Sequence, residues 1–78
     1  MYCRIKYADG RKENDICLSG ALKGIRQQYP DAFSLRCLDR VLVWENEADS
    51  VNDDGYNAIA EIIEIDREMP VEYSRFFG

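Results

Sequence analysis

A chain of 78 residues is one domain at most and sits near the lower size at which a protein builds its own core. Charged residues make up 32% and hydrophobic ones 46%, an ordinary globular balance that argues against intrinsic disorder. The net charge is −5 and histidine is absent, which removes the commonest general base and metal ligand.

The charge is segregated. Residues 1–44 hold eight Lys/Arg and five Asp/Glu, whereas residues 45–78 hold two and ten. An acidic half repels nucleic acid and anionic membrane and attracts basic protein surfaces. No apolar run approaches the roughly 18 residues of a membrane span, and no signal-peptide pattern follows Met1, so the expected compartment is the cytoplasm.

Residues 2–7 alternate, with Cys3, Ile5 and Tyr7 on one face and Tyr2, Arg4 and Lys6 on the other, the pattern of a half-buried strand. Asp9-Gly10 predicts a hairpin turn, because both residues tolerate positive φ. A more polar strand is expected at 12–17. Ser19 reads as a helix N-cap, followed by the apolar stripe Leu22, Ile25 and Tyr29, with Pro30 as the stop. Segments 33–38 and 41–46 read as a hairpin, or as one long strand with a bulge at Asp39-Arg40. Val41-Leu42-Val43-Trp44 is apolar on both faces, as an interior strand would be.

Residues 45–55 form an acidic connection. From 54 to 69 a helical wheel places Ala58, Ile62, Ile65 and Met69 in one arc and Asp54, Asn57, Glu61, Glu64 and Glu68 opposite. The wheel predicts a second, acidic amphipathic helix. Four isoleucines in seven positions favour a strand instead, and that alternative stays open. The tail carries Tyr73, Phe76 and Phe77, placed either on the core or on a partner. The expected architecture is α+β: a small antiparallel sheet, one helix packed on it, and the second helix near the C-terminus.

Catalysis finds little support. Nucleophilic mechanisms usually need a histidine base. The glycines of Gly20-Ala-Leu-Lys-Gly24 are too sparse for a phosphate loop. Cys3, Cys17 and Cys37 form no CxxC pair and, without histidine, no usual zinc set; they read as three reduced, buried thiols. A calcium loop would put Ser50, Asn52, Asp54 and Glu61 at its ligand positions around Gly55, but the first position has Ser for Asp and the entering helix is missing. Neither a cofactor nor a metal is expected.

The acids themselves remain. In an extended segment Glu45, Glu47 and Asp49 would stand about 6.8 Å apart in a row. Asp54, Glu61, Glu64 and Glu68 would form a second row on the predicted helix. Such rows can imitate a nucleic-acid backbone and engage a Lys/Arg-lined groove, with Trp44 and Tyr56 as aromatic anchors beside Asp53 and the other acids. The alternatives are a small RNA- or DNA-binding module using Arg4, Lys6, Arg11, Lys12, Lys23, Arg26, Arg36 and Arg40 with Tyr2 for stacking, and a subunit that self-associates through a sheet edge and the aromatic tail.

The stretch Trp44-Glu45-Asn46-Glu47-Ala48-Asp49-Ser50-Val51-Asn52-Asp53-Asp54-Gly55 resembles the acidic tracts of small proteins encoded by phages and mobile elements. In size, acidity and lack of catalytic residues the chain is similar to anti-CRISPR proteins. That resemblance implies an inhibitor that occupies the DNA-binding surface of a nuclease or surveillance complex in the host cytoplasm. It covers a dozen residues in detail and transfers no site residue by itself.

Overall fold

The computed structural model describes residues 1–51 and 57–69. Among the described residues, five strands and two helices follow one another as β1 (Tyr2–Tyr7), β2 (Lys12–Asp15), α1 (Leu18–Gln28), β3 (Phe33–Cys37), β4 (Arg40–Trp44), α2 (Glu47–Ser50) and β5 (Ala60–Ile65). The strands form one sheet in the order β2-β1-β5-β4-β3, and every pairing is antiparallel. The α+β expectation is thus met. No helix among the described residues is long and apolar enough to cross a membrane.

Between β1 and β2 the chain turns through Ala8, Asp9 and Gly10. The Gly10 N–H donates to the Tyr7 carbonyl at 3.0 Å, and only Gly10 takes a positive φ, +97°. Asp9 acts through its side chain: it accepts the Arg11 N–H at 2.9 Å and the Arg11 guanidinium at 2.8 Å. β2 ends at Asp15, two residues earlier than expected. The helix cap is Cys17 and not Ser19: the Cys17 thiol sulfur accepts the Gly20 N–H at 3.4 Å. At the other end Tyr29 leaves the helical region, as a residue before proline must, and its N–H still donates to the Ile25 carbonyl at 2.9 Å.

α1 carries the chain from β2 at one edge to β3 at the other and covers one face of the sheet. Ala21 and Ile25 pack there on Cys3, Ile5, Tyr7, Val41, Val43, Ala60 and Ile62, with Leu18, Leu22, Tyr29, Ala32 and Ile59 around the rim. Each fully buried aliphatic side chain in this layer contributes about 1.5–3 kcal/mol. Of the three thiols, only Cys3 is buried; Cys37 is half-buried and Cys17 exposed, which corrects the uniform expectation.

β3 and β4 form a two-residue hairpin in unbroken register from Phe33↔Trp44 to Cys37↔Arg40, with Leu38 and Asp39 at the tip. No bulge interrupts it. Residues 60–65 are a strand, not the helix that the wheel predicts over 54–69, and they lie at the centre of the sheet between β1 and β4. A second helix exists, but it is the single acidic turn α2 within the connection at 45–55. Asp54, Gly55 and Tyr56 lie outside the described residues, as do Asn52, Asp53 and the tail with Tyr73, Phe76 and Phe77.

Candidate functional site

The acids separate into neutralised and free groups. Register decides the first set. In a strand, residues three apart point to opposite faces, so Glu64 lies on the face covered by α1 and Glu61 on the other. Glu64 accepts a hydrogen bond from Arg36 at 2.6 Å, and Glu61 accepts one from Arg40 at 3.1 Å. Arg40 also lies 3.7 Å from Asp39. The predicted second row of carboxylates is therefore not a row, and two of its members are paired with the chain's own arginines. Glu68 is exposed beyond the end of β5.

The first set survives in altered form. β4 ends at Trp44, which is 2% exposed and pairs with Phe33 across the hairpin. Its burial makes it a support for the following turn and not an exposed aromatic anchor. Asn46 then caps α2, its Oδ1 accepting the Asp49 N–H at 2.9 Å, and the Ser50 hydroxyl donates to the Glu47 carbonyl at 2.7 Å. Asn-Glu-Ala-Asp reads locally as a helix start, with a capping carboxamide and acids in the first turn. The segment coils where a straight strand was expected, so the even spacing of Glu45, Glu47 and Asp49 is lost. All three are exposed, and none has an ion-pair partner among the described residues. They form a short acidic rim at one end of the sheet.

The cations also divide. Arg11 lies over the Tyr7 ring, 4.5 Å from its centre, and is held by Asp9. Arg4, Lys6 and Lys12 share the face opposite α1, where Lys6 stands directly across from Lys12 and Arg4 across from Asn14. Asn14 is buried, and its Oδ1 accepts no hydrogen bond from the described residues. With Arg4, Lys12 and Glu13 it lines a polar pocket of about 100 Å³.

No family model matches the chain, no curated protein is significantly similar to it in sequence, and no solved structure matches its fold. The functional reading therefore rests on residues alone.

A groove beside the start of α1 had no counterpart among the sequence expectations. It is open, has a volume of about 450 Å³, and is lined by Asp15, Cys17, Ser19, Gly20, Lys23 and Gln27 among others. The Ser19 hydroxyl, 3.2 Å from the sulfur, and the Gly20 N–H hold the Cys17 thiol below its ordinary value. A cysteine placed just before a helical stripe was the available signal, since the capping position is defined by the first free N–H groups and not by serine alone. The described residues contain no group of three or more Cys, Asp or Glu side chains arranged to hold a metal ion. In the calcium reading, Glu61 is engaged by Arg40, Ser50 donates within α2, and Asn52 and Asp54 lie outside the described residues.

Proposed function

We propose that this protein is a non-enzymatic, cytoplasmic binding protein that engages a basic, nucleic-acid-binding surface of another protein through its acidic rim. The observation that carries the reading is the contrast between carboxylates. Glu61 and Glu64 are neutralised internally, whereas Glu45, Glu47 and Asp49 project from a capped turn with their charge uncompensated. Uncompensated charge steers a partner of opposite sign over about one Debye length, roughly 8–10 Å in physiological salt. The resemblance to anti-CRISPR proteins is consistent with such an inhibitor. The lack of histidine is consistent with binding in place of catalysis.

The test uses the whole chain. The wild-type protein, immobilised, captures its partner from a lysate of the producing cell, and excess duplex DNA competes with the capture. The triple variant Glu45→Lys, Glu47→Lys, Asp49→Lys loses it, because the reversed charges repel a basic surface, while all three side chains are exposed and outside the core. Capture that survives the triple reversal, or that duplex DNA leaves untouched, removes the proposal.

A second reading draws on Arg4, Lys6 and Lys12. Like charges directly across a strand pair destabilise a sheet unless an anion lies between them, and Lys6 and Lys12 stand in that relation. An RNA or DNA backbone would supply the anion. A labelled single-stranded oligonucleotide should then bind at low salt and leave as salt rises, with affinity lost in Lys6→Ala, Lys12→Ala. Absence of binding at low salt dismisses this alternative.

A further inference from the structure

The two edges of the sheet are protected unequally. β2 reads Lys12-Glu13-Asn14-Asp15, with Lys12 exposed, Glu13 half-buried and Asn14 and Asp15 buried; a polar run with a lysine at its exposed end blunts an edge. β3, at the other edge, reads Phe33-Ser34-Leu35-Arg36-Cys37. It has no proline and no bulge, and its single charge, Arg36, is neutralised by Glu64. Leu35 is 46% exposed, and Leu38, next to the strand at the hairpin tip, is 96% exposed.

Backbone geometry sets which groups face outward. In a hairpin closed by two residues the flanking pair, Cys37 and Arg40, exchanges both hydrogen bonds, and so do Leu35↔Leu42 and Phe33↔Trp44. Ser34 and Arg36 therefore turn their N–H and C=O groups away from β4, toward the open edge. Among the described elements nothing pairs with them.

We propose that β3 pairs antiparallel with β3 of a second copy of this chain, about a two-fold axis through Leu35, joining two five-stranded sheets into one. The strand is symmetric in character about its middle residue, Leu35. With Leu35 opposite Leu35 of the partner subunit, Ser34 meets the partner's Arg36 in a hydrogen-bonded pair, twice, which satisfies all four outward N–H groups and carbonyls at those residues. Phe33 comes to lie across from the partner's Cys37. Phe33, Leu35 and Cys37 occupy one face and Ser34 and Arg36 the other, so apolar meets apolar and no like charges stand opposite each other. A slip of one residue would set Leu35 against Ser34 or Arg36 and destroy this match. A five-residue edge is small beside the roughly 800 Å² per partner of a standard interface, so the dimer should be a micromolar one.

The experiment is sedimentation velocity on the full chain from about 1 μM to about 1 mM, a range that spans a micromolar Kd. The expected mass rises with concentration from the 9.1 kDa monomer toward twice that value. Leu35→Lys and Leu35→Glu should each stay monomeric throughout, since each places like charges on the axis, and an equimolar mixture of the two should recover the dimer. Ser34→Pro removes one outward N–H on each copy without touching the apolar face, and should weaken dimerisation at least tenfold. Far-ultraviolet circular dichroism identifies any variant that fails to fold, and the conclusion is then drawn from the remaining ones. A wild-type chain that stays at 9.1 kDa at every concentration overturns the proposal. So does a dimer indifferent to folded Leu35 and Ser34 variants, or a mixture of Lys and Glu variants that does not pair.

Discussion

The carboxylate of Asp15 occupies the space that a side chain at position 20 would need: a Cβ added to Gly20 would lie 2.7 Å from Asp15 Oδ1 and 3.1 Å from its Cγ. Asp15 is buried, and its Oδ1 also accepts the Ile16 N–H at 2.8 Å, so it has little freedom to withdraw. Alanine for glycine inside a helix normally gains about 1 kcal/mol. Here the clash should reverse the sign, and Gly20→Ala is expected to cost about 1–3 kcal/mol. In a chain of this size each kcal/mol moves the Tm by roughly 4–8 °C. Thermal melts should show the loss, and it should shrink or vanish when Asp15→Ala is combined with Gly20→Ala. A Gly20→Ala protein that melts higher than the parent would contradict the close approach.

Leu38 is the one described non-glycine residue with a positive φ, +59°, and it is almost wholly exposed. A left-handed conformation costs an L-residue roughly 1–2 kcal/mol, and no buried contact of Leu38 offsets it. Leu38→Gly should therefore stabilise the monomer by about 1 kcal/mol, less the entropy that glycine adds to the unfolded chain. Melting at low micromolar concentration checks this. A Tm that falls would mean that the leucine side chain stabilises the hairpin in some other way.

Cys3 lies across from Glu64 on the face covered by α1, and burial, reinforced by that carboxylate, pushes its thiol from an ordinary 9.0 up to about 11. The folded state thus holds its proton where the unfolded state has lost it. This contribution is fully present below pH 9.0 and disappears as pH rises through about 11. A rise of that size corresponds to about 2–3 kcal/mol of stability. The useful measure is the stability difference between wild type and Cys3→Ala in urea, which cancels the pH dependence common to both proteins. That difference should move against the wild type by this amount between about pH 8 and about pH 11. A difference independent of pH would show that Cys3 titrates normally.

How far the sequence could be read depended on how many faces an element buries. β1 and α1 each bury one dominant face, so period two and the stripe at 22, 25 and 29 identified them. β5 is central. Ala60 and Ile62 face α1, while Ile63 and Ile65 are half-buried on the other side, and a strand apolar on both sides loses its alternation. Its isoleucines then fit a helical arc equally well. The second acid row failed for the same reason, because a three-and-four spacing that is one face of a helix is two faces of a strand. Arg36 and Arg40 could not be foreseen as partners of Glu64 and Glu61, 28 and 21 residues away, until strand order and register were known. The rim at Glu45, Glu47 and Asp49 was legible as exposed acid, but its coiling was not, since α2 depends on a single Asn46 cap.

The two readings of residues 60–65 make opposite statements about Ile62 and Ile65, and mutation can separate them. On a helix both isoleucines share the buried arc and should matter alike. In β5, Ile62 is fully buried between Ile5 of β1 and Val41 of β4, whereas Ile65 lies at the strand end, half-buried, across from Tyr2. Ile62→Ala should cost about 2–5 kcal/mol, the range for a core cavity that cannot collapse. That is a large share of the roughly 5–15 kcal/mol that holds a domain folded, and for a chain this short it brings the protein close to unfolding at room temperature. Ile65→Ala should cost about 1 kcal/mol. Urea titrations followed by Trp44 fluorescence measure both, because Trp44 is buried in the native sheet and exposed on unfolding. Equal losses at the two positions would remove the strand assignment, and with it the separation of Glu61 from Glu64 onto opposite faces.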